Sequence, residues 1–377
     1  MKSADQPPST YGASVKTTLR ALPISLDEIA SFDSVIDVRS PGEFTEDHLP
    51  GAVNFPVLSD AERVRVGTIY KQRSAFEAKK IGAALVARNI ALHIESSFLD
   101  KPKGWKPLIY CWRGGSRSGA MVHVMRSIGW PAMQLEGGHK GWRGQVISEL
   151  ASLPANFSFR VICGRTGSGK SRLLEALNEF GSQVLDLEKL AMHKGSVLGD
   201  LPGERQPAQK FFETCVWAAL SGFDANRPVY VEAESKKVGS VRVPEALILR
   251  MRESTCIEVK VPDALRVRLL REEYAHLIAN NALLFDKLDC LSGLHSPAKI
   301  LEWKALATSG KWDEFVADML AYHYDPAYSR SMFKNFVYAE NATPLIVKDI
   351  SAAHFSRLAR SLPSCPDFSS QKNCRQS

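Results

Sequence analysis

Two short segments concentrate the residues able to do chemistry. The first, Cys111-Trp112-Arg113-Gly114-Gly115-Ser116-Arg117, combines a thiol, two guanidinium groups and a glycine pair. The thiolate is the nucleophilic form of cysteine, so a reactive cysteine needs surroundings that stabilise negative charge. Gly114 and Gly115 allow backbone N–H groups to turn inward, Arg113 and Arg117 add positive charge, and the N-terminus of a following helix favours anions. Such a nest lowers the pKa of Cys111 and holds an incoming oxyanion. A buried structural cysteine in a tight turn is the bland alternative, and the flanking arginines and glycines weigh against it. The second segment, Gly164-Arg165-Thr166-Gly167-Ser168-Gly169-Lys170-Ser171, has the Walker A spacing of a phosphate loop. Gly164, Gly167 and Gly169 bring the N–H groups of Thr166, Ser168 and their neighbours around a diphosphate. Lys170 neutralises that charge, and Ser171 can ligate a magnesium ion. The loop recognises a diphosphate and does not by itself specify a nucleotide.

Each segment leaves alternatives open. Cys111 and Arg117 have the spacing of a cysteine-dependent phosphatase loop, in which the arginine clamps a phosphoryl group; counted to Ser116, the same loop has the length that holds a persulfide or its selenium analogue. For the phosphate loop, the partner acid is ambiguous. The apolar strand Val229-Tyr230-Val231-Glu232-Ala233-Glu234 offers glutamates and no aspartate, and Asp186 in Val184-Leu185-Asp186-Leu187 is the other candidate. Each of these also reads as an ordinary strand-end acid, so magnesium-dependent ATP hydrolysis is not implied. His193-Lys194-Gly195-Ser196 and the cluster Arg266, Arg268 and Arg271 are basic groups within reach of RNA or diphosphate; a solvated helix face is the preferred reading of the arginines.

Both segments require a strand to deliver the loop and a helix to receive it. Pro107-Leu108-Ile109-Tyr110 leads into Cys111, and Ser118–Ile128 has helical character. Earlier strands are expected at Ser34–Arg39 and around Ala52–Phe55, a helix over Ala75–Ile90, and a further strand at Met133–Glu136. The pattern restarts after Leu153-Pro154. Phe157–Cys163 is a strand, Arg172–Phe180 a helix, and more strands are expected at Gln183–Leu187, Val229–Glu232, Cys256–Val261 and Leu345–Val347. Alternation of this kind implies parallel sheets covered on both faces. The fold class is therefore α/β, with a parallel-sheet domain over residues 16–150 and a phosphate-loop domain over 155–362, carrying a helical insertion at about 263–332. Residues 1–15 and 363–377 read as flexible termini.

Composition bounds the rest. A chain of 377 residues is long for one domain. Lysine and arginine outnumber aspartate and glutamate by 48 to 41, which permits an anionic partner such as RNA without demanding one. The seven cysteines have neither metal-ligand spacing nor a disulfide framework, so a reduced compartment and no structural metal are expected. No run approaches the roughly 18 apolar residues of a membrane helix, and a cytoplasmic, membrane-free chain is the expectation.

Three separated segments resemble the rhodanese (sulfurtransferase) domain over residues 20–147: Asp37-Val38-Arg39 with Glu43-Phe44, His48-Leu49-Pro50-Gly51-Ala52-Val53-Asn54, and Glu136-Gly137-Gly138-His139-Lys140-Gly141-Trp142. Tyr110 stands where tyrosine phosphatases carry histidine. Asp37 and Arg39 read as a structural ion pair. A rhodanese domain with an intact cysteine followed by a phosphate loop, together with Ala191–Ser196, Val231–Ser235 and Arg271–Tyr274, resembles the bacterial tRNA 2-selenouridine synthase family. That resemblance implies a two-step exchange at the wobble uridine (U34) of tRNA, in the anticodon region that carries 2-thiouridine. Sulfur is first alkylated by geranyl diphosphate; selenium from selenophosphate then displaces the geranylated sulfur. It gives the phosphate loop to geranyl diphosphate, makes Cys111 the selenium carrier through a selenenyl sulfide, and has Arg113 and Arg117 position the anion. The co-substrates would be geranyl diphosphate and selenophosphate, with no tightly bound cofactor and a monomeric chain. The alternatives are an ATP-dependent RNA thiolase, a nucleotide-binding regulatory protein with a rhodanese partner domain, and, third, a phosphatase.

Overall fold

A computed structural model describes residues 23–362, so the terminal segments 1–15 and 363–377 lie outside the described residues. Contacts divide the chain into two compact units, one through Gln145 and one from Val146.

The first unit is built on a four-stranded parallel sheet in the order β2-β1-β3-β4, with β1 Ser34–Asp37, β2 Ala52–Asn54, β3 Pro107–Tyr110 and β4 Met133–Gln134. The two central strands are short apolar runs; all four residues of β3 are buried, as expected for a strand covered on both faces. Ile36, Ile109, Met121, Met125 and Trp130 belong to one core cluster. Helices Asp60–Gln72 and Ala75–His93 pack against one another, and the second carries Ile90 into that core. The helix at Asp60 was not anticipated from sequence because it buries no residue fully and is polar around most of its circumference. Its start is set locally: Ser59 accepts from the Glu62 amide while Glu62 accepts from the Ser59 amide.

The second unit carries a five-stranded parallel sheet in the order β11-β10-β5-β7-β6, with β5 Phe159–Cys163, β6 Gln183–Leu185, β7 Val229–Glu232, β10 Thr255–Lys260 and β11 Thr343–Ile346. A two-stranded ribbon, β8 Lys237–Val238 and β9 Val241–Arg242, follows β7. β5 and β7 are buried throughout and lie side by side at the centre. Helix Lys170–Glu179 presents Leu173, Leu174 and Leu177 to the sheet and packs on helix Ala352–Ser361. Between β10 and β11 the chain runs through helices from Asp263 to Asn335, whose own core gathers Leu284, Leu288, Trp303 and Phe315. Near its end the backbone widens into a π-helical turn at Leu320–Tyr324.

No helix among the described residues is long and apolar enough to cross a membrane.

Candidate functional site

The thiol loop follows β3 directly, and helix Ser116–Ile128 begins five residues after Cys111. Cys111 is buried. Its Sγ accepts a hydrogen bond from the Gly115 amide at 3.3 Å and another from the Ser118 hydroxyl at 3.1 Å. Burial pushes the thiol pKa up, but the Ser118 and Gly115 donors, with Arg117 adding positive charge, outweigh it and bring Cys111 below the ordinary cysteine value. Sequence reasoning found the cysteine and missed Ser118, which lies one turn into the helix; a hydroxyl seven positions after the nucleophile is the signal that could have shown it.

The loop is held from beneath by the Glu136–Lys140 segment. His139 and Lys140 donate their amides to the carbonyls of Cys111 and Trp112, at 2.9 and 2.8 Å. Gln134 Nε2 donates to the Gly114 carbonyl and to the Ser118 hydroxyl, at 2.6 and 2.8 Å. A Cβ on Gly138 would stand 2.3 Å from the Cys111 carbonyl oxygen, and the residue has φ of +53°, so glycine is required there. His139 is buried against Asp47, Nε2 to Oδ2 3.0 Å. Asp37 and Arg39 form the buried ion pair read from the sequence, 2.6 Å long, and Arg39 also donates to the Asp47 carbonyl. The two loop arginines differ. Arg113 is exposed beside the loop, whereas Arg117 is ion-paired with Glu43 at 2.7 Å and partly buried.

In the second unit the phosphate loop joins β5 to helix Lys170–Glu179. Lys170 Nζ donates to the Gly164 carbonyl at 3.0 Å, which folds the side chain back across the loop, and the Gly164 amide donates to the Tyr328 hydroxyl at 2.7 Å. Gly167 and Gly169 have left-handed φ of 76° and 77°; a Cβ on Gly169 would meet Phe355 at 2.5 Å. Ser168 Oγ is buried without a hydrogen-bond partner among the described residues. The loop lines an open cavity with Glu188, Lys194, Ser196, Glu234 and Tyr328.

The acids sort themselves differently from the sequence expectation. Asp186 caps a short helix by accepting from the Lys189 amide at 2.8 Å. Glu232, at the end of β7, accepts from the Glu188 amide at 2.7 Å. The carboxylate that reaches the loop is Glu188, whose Oε2 accepts from the Ser171 hydroxyl at 3.1 Å. Glu188 was not singled out from sequence, although an acid two positions beyond Asp186 at the end of an apolar strand was the available signal. Glu234 faces it: a Cβ on Gly195 would stand 2.8 Å from a Glu234 oxygen and 3.1 Å from a Glu188 oxygen. Burial and mutual repulsion raise the pKa of Glu188, Glu232 and Glu234, that of Glu234 to about 8. The Ser171 and Glu188 oxygens are hard donors of the kind magnesium takes. Among the described residues, no group of three or more His, Cys, Asp or Glu is placed to hold a metal ion.

The basic cluster is corrected by the structure. Arg266 is buried, donates to the Thr166 carbonyl at 3.0 Å and is ion-paired with Asp263 and Asp325. It is a brace for the phosphate loop because its planar fork satisfies three acceptors at once. Arg268 and Arg271 do lie on an exposed face.

Comparisons with known proteins divide the chain in the same way. A rhodanese-like domain model matches residues 23–145, and a model described as the tRNA 2-selenouridine synthase AAA domain matches residues 157–294. A tRNA 2-selenouridine synthase of Nitrosomonas europaea is 38% identical over 247 residues, covering 64% of this chain and 63% of the relative. That of Aeromonas salmonicida is 34% identical over 256 residues, 67% of each chain. The chain thus spans a little under two thirds of the length of the Nitrosomonas relative.

Proposed function

Because the chain belongs to the tRNA 2-selenouridine synthase family, we propose that it converts 2-thiouridine at the wobble position of tRNA to 2-selenouridine, through an S-geranyl intermediate. The observation that carries this reading is the coexistence of a thiolate nest and a diphosphate cradle whose acids are arranged around Ser171 and Lys170.

In the first step the 2-thio sulfur attacks the allylic carbon of geranyl diphosphate. The carbon–oxygen bond breaks, and diphosphate leaves with the electron pair. Lys170 and the N–H groups of Gly167–Ser171 stabilise that leaving group as its charge develops. Ser171 and Glu188 are the residues that would hold a magnesium ion, which supplies further charge neutralisation on the diphosphate.

In the second step selenophosphate occupies the Cys111 loop, its oxygens on the N–H groups that precede helix Ser116–Ile128 and on Arg113. Selenium in selenophosphate is already fully reduced. A selenenyl sulfide on Cys111 would therefore leave phosphorus reduced to phosphite. The redox-neutral course has the Cys111 thiolate attack phosphorus, so that the phosphorus–selenium bond breaks and hydrogen selenide departs with the pair. Hydrogen selenide adds to C2 of the geranylated base, geranyl thiol leaves with the carbon–sulfur pair, and water hydrolyses the phosphocysteine. Alkylation matters because a thioether sulfur departs as a thiol, whereas the unmodified thiocarbonyl has no leaving group.

Single-residue variants separate the steps. Lys170→Ala should lose geranyl transfer while still selenating an RNA supplied already geranylated; Cys111→Ala should do the reverse. Loss of geranyl transfer in Cys111→Ala, with Lys170→Ala unaffected, overturns the assignment.

A further inference from the structure

The helix pair Asp60–Gln72 and Ala75–His93 concentrates charge that neither the core nor the reaction steps use. Between Asp60 and Arg88 stand seven lysines or arginines against three acids, which accounts for +4 of the chain's net +7. Arg88 is paired with Glu62 at 2.6 Å. Arg65, Lys71, Arg73, Lys79 and Lys80 are exposed and, among the described residues, have no carboxylate partner. A polar helix that merely faces water alternates its signs and ties them in i,i+4 pairs; this one accumulates a single sign despite the self-repulsion that brings. Arg65 and Arg73 flank an open groove together with Thr68, Gln72 and Glu77. Two aromatic rings are exposed on the same helices: Tyr70 is 58% accessible and Phe76 70%, with Lys80 Nζ 5.2 Å from the Phe76 ring centre.

This basic ridge begins at the thiol loop. Glu43 Oε2 lies 2.7 Å from Arg117 Nη1, one of the two loop arginines, and 3.8 Å from Arg63 Nε, in the first turn of helix Asp60–Gln72. Arg73, at the other end of that helix, is about 15 Å of helix rise from Arg63.

We propose that the ridge is the docking surface for the phosphate backbone of the RNA substrate, with Arg65, Lys71 and Arg73 on phosphates and the rings of Tyr70 and Phe76 stacking unpaired bases, so that the nucleotide to be modified is presented at Cys111. The inference rests on the reading of tRNA as the substrate. Charge and rings together select a nucleic acid. Phosphates brought against closely spaced cations release their condensed counterions, and looped RNA offers splayed bases to aromatic faces. A protein partner would need a contiguous apolar centre depleted in charge; here each ring stands among cations.

Fluorescence anisotropy of the full chain with a labelled anticodon stem-loop bearing 2-thiouridine, over a range of salt, tests this. Arg65→Gln/Arg73→Gln should weaken binding about 10-fold at about 0.1 M salt and make the slope of log affinity against log salt shallower by about 1 to 2, the loss of two phosphate contacts. Alkylation of Cys111 by iodoacetamide should keep the parental rate, which reports that the first unit is folded. Arg268→Gln/Arg271→Gln removes the same charge from the second unit and should change affinity by less than about 2-fold. If the ridge variant keeps the parental affinity and slope, or the second-unit variant loses as much, the ridge is overturned and the tRNA reading stands. Retained RNA affinity with lost binding to phosphatidylglycerol vesicles would make the ridge a lipid-facing surface and overturn the proposal equally. If the parent chain does not bind the stem-loop at all, the tRNA reading itself fails, and the ridge with it.

Discussion

The Ser118 hydroxyl points at Cys111 Sγ across 3.1 Å, from the third residue of helix Ser116–Ile128, and the loop before that helix aims the Gly115 amide at the same sulfur. A neutral thiol gains little from two donors; a thiolate gains much, so the pair favours the ionised form.

Removing Ser118 should therefore raise the Cys111 pKa. Because the native value lies below the ordinary one, the thiolate persists as pH falls below the usual cysteine range, and its population is lost only as pH drops through the lowered pKa. The pH profile of iodoacetamide alkylation of Cys111 should shift upward in Ser118→Ala. The rate near neutral pH should fall by roughly 10- to 100-fold, the worth of one hydrogen bond to a charged group. An unchanged profile would show that Ser118 is only a helix residue.

Gly138→Ala addresses the support beneath the loop. Its Cβ would collide with the Cys111 carbonyl and the Gly114 amide, and its backbone is left-handed. The variant should lose about 1–3 kcal/mol of stability in the first unit, measured by denaturant unfolding, and should lose Cys111 reactivity with it.

The acids around Ser171 make a pH prediction of opposite sign. The folded-state pKa of Glu234, about 8, exceeds its ordinary value of 4.5. The folded chain keeps a proton that the unfolded chain has lost across that interval, so stability falls as pH rises through it. Glu234→Gln should then be more stable than the parent by about 1–2 kcal/mol at about pH 9, discounted because Glu188 shares the same cluster. At about pH 4 the two should be alike. Thermal unfolding at both pH values checks this.

Glu188→Gln bears on the diphosphate cradle. It keeps the side chain's shape but removes the charge beside the Ser171 hydroxyl. If that pair holds magnesium, the variant should need a higher magnesium concentration for half-maximal geranyl transfer and should lose about 10- to 100-fold in rate at low magnesium. Pyrophosphate affinity without magnesium should be unchanged or improved, because one repelling carboxylate has gone. An unchanged magnesium dependence would remove Glu188 from the ion's surroundings.

The parts legible in the sequence were those fixed by local chemistry. Cys111 and its glycines, the phosphate loop, the Asp37–Arg39 pair and the buried strands β3, β5 and β7 each follow from residue types at short spacing. What was not legible depends on pairings across long stretches of chain. Arg266 read as a solvated helix residue together with Arg268 and Arg271; Asp263 and Asp325, the second brought back by the later helices, draw it inward to brace Thr166. Glu188 was hidden for a similar reason. The acids sought were those ending the β7 strand and Asp186 beside β6, whereas the short helix that follows β6, Leu187–Leu190, supplies the carboxylate that meets Ser171. Arg117 shows the same limit, since its partner Glu43 comes from a helix well before β3.

Mass spectrometry of nucleosides from an anticodon stem-loop bearing 2-thiouridine at the wobble position tests the two-step exchange most directly. The full chain would be incubated with geranyl diphosphate, with and without selenophosphate. S-geranyl-2-thiouridine should form without selenophosphate and 2-selenouridine with it, the first species vanishing in Lys170→Ala and the second in Cys111→Ala. Selenouridine formed without geranyl diphosphate, or only when ATP is added and consumed, would contradict it.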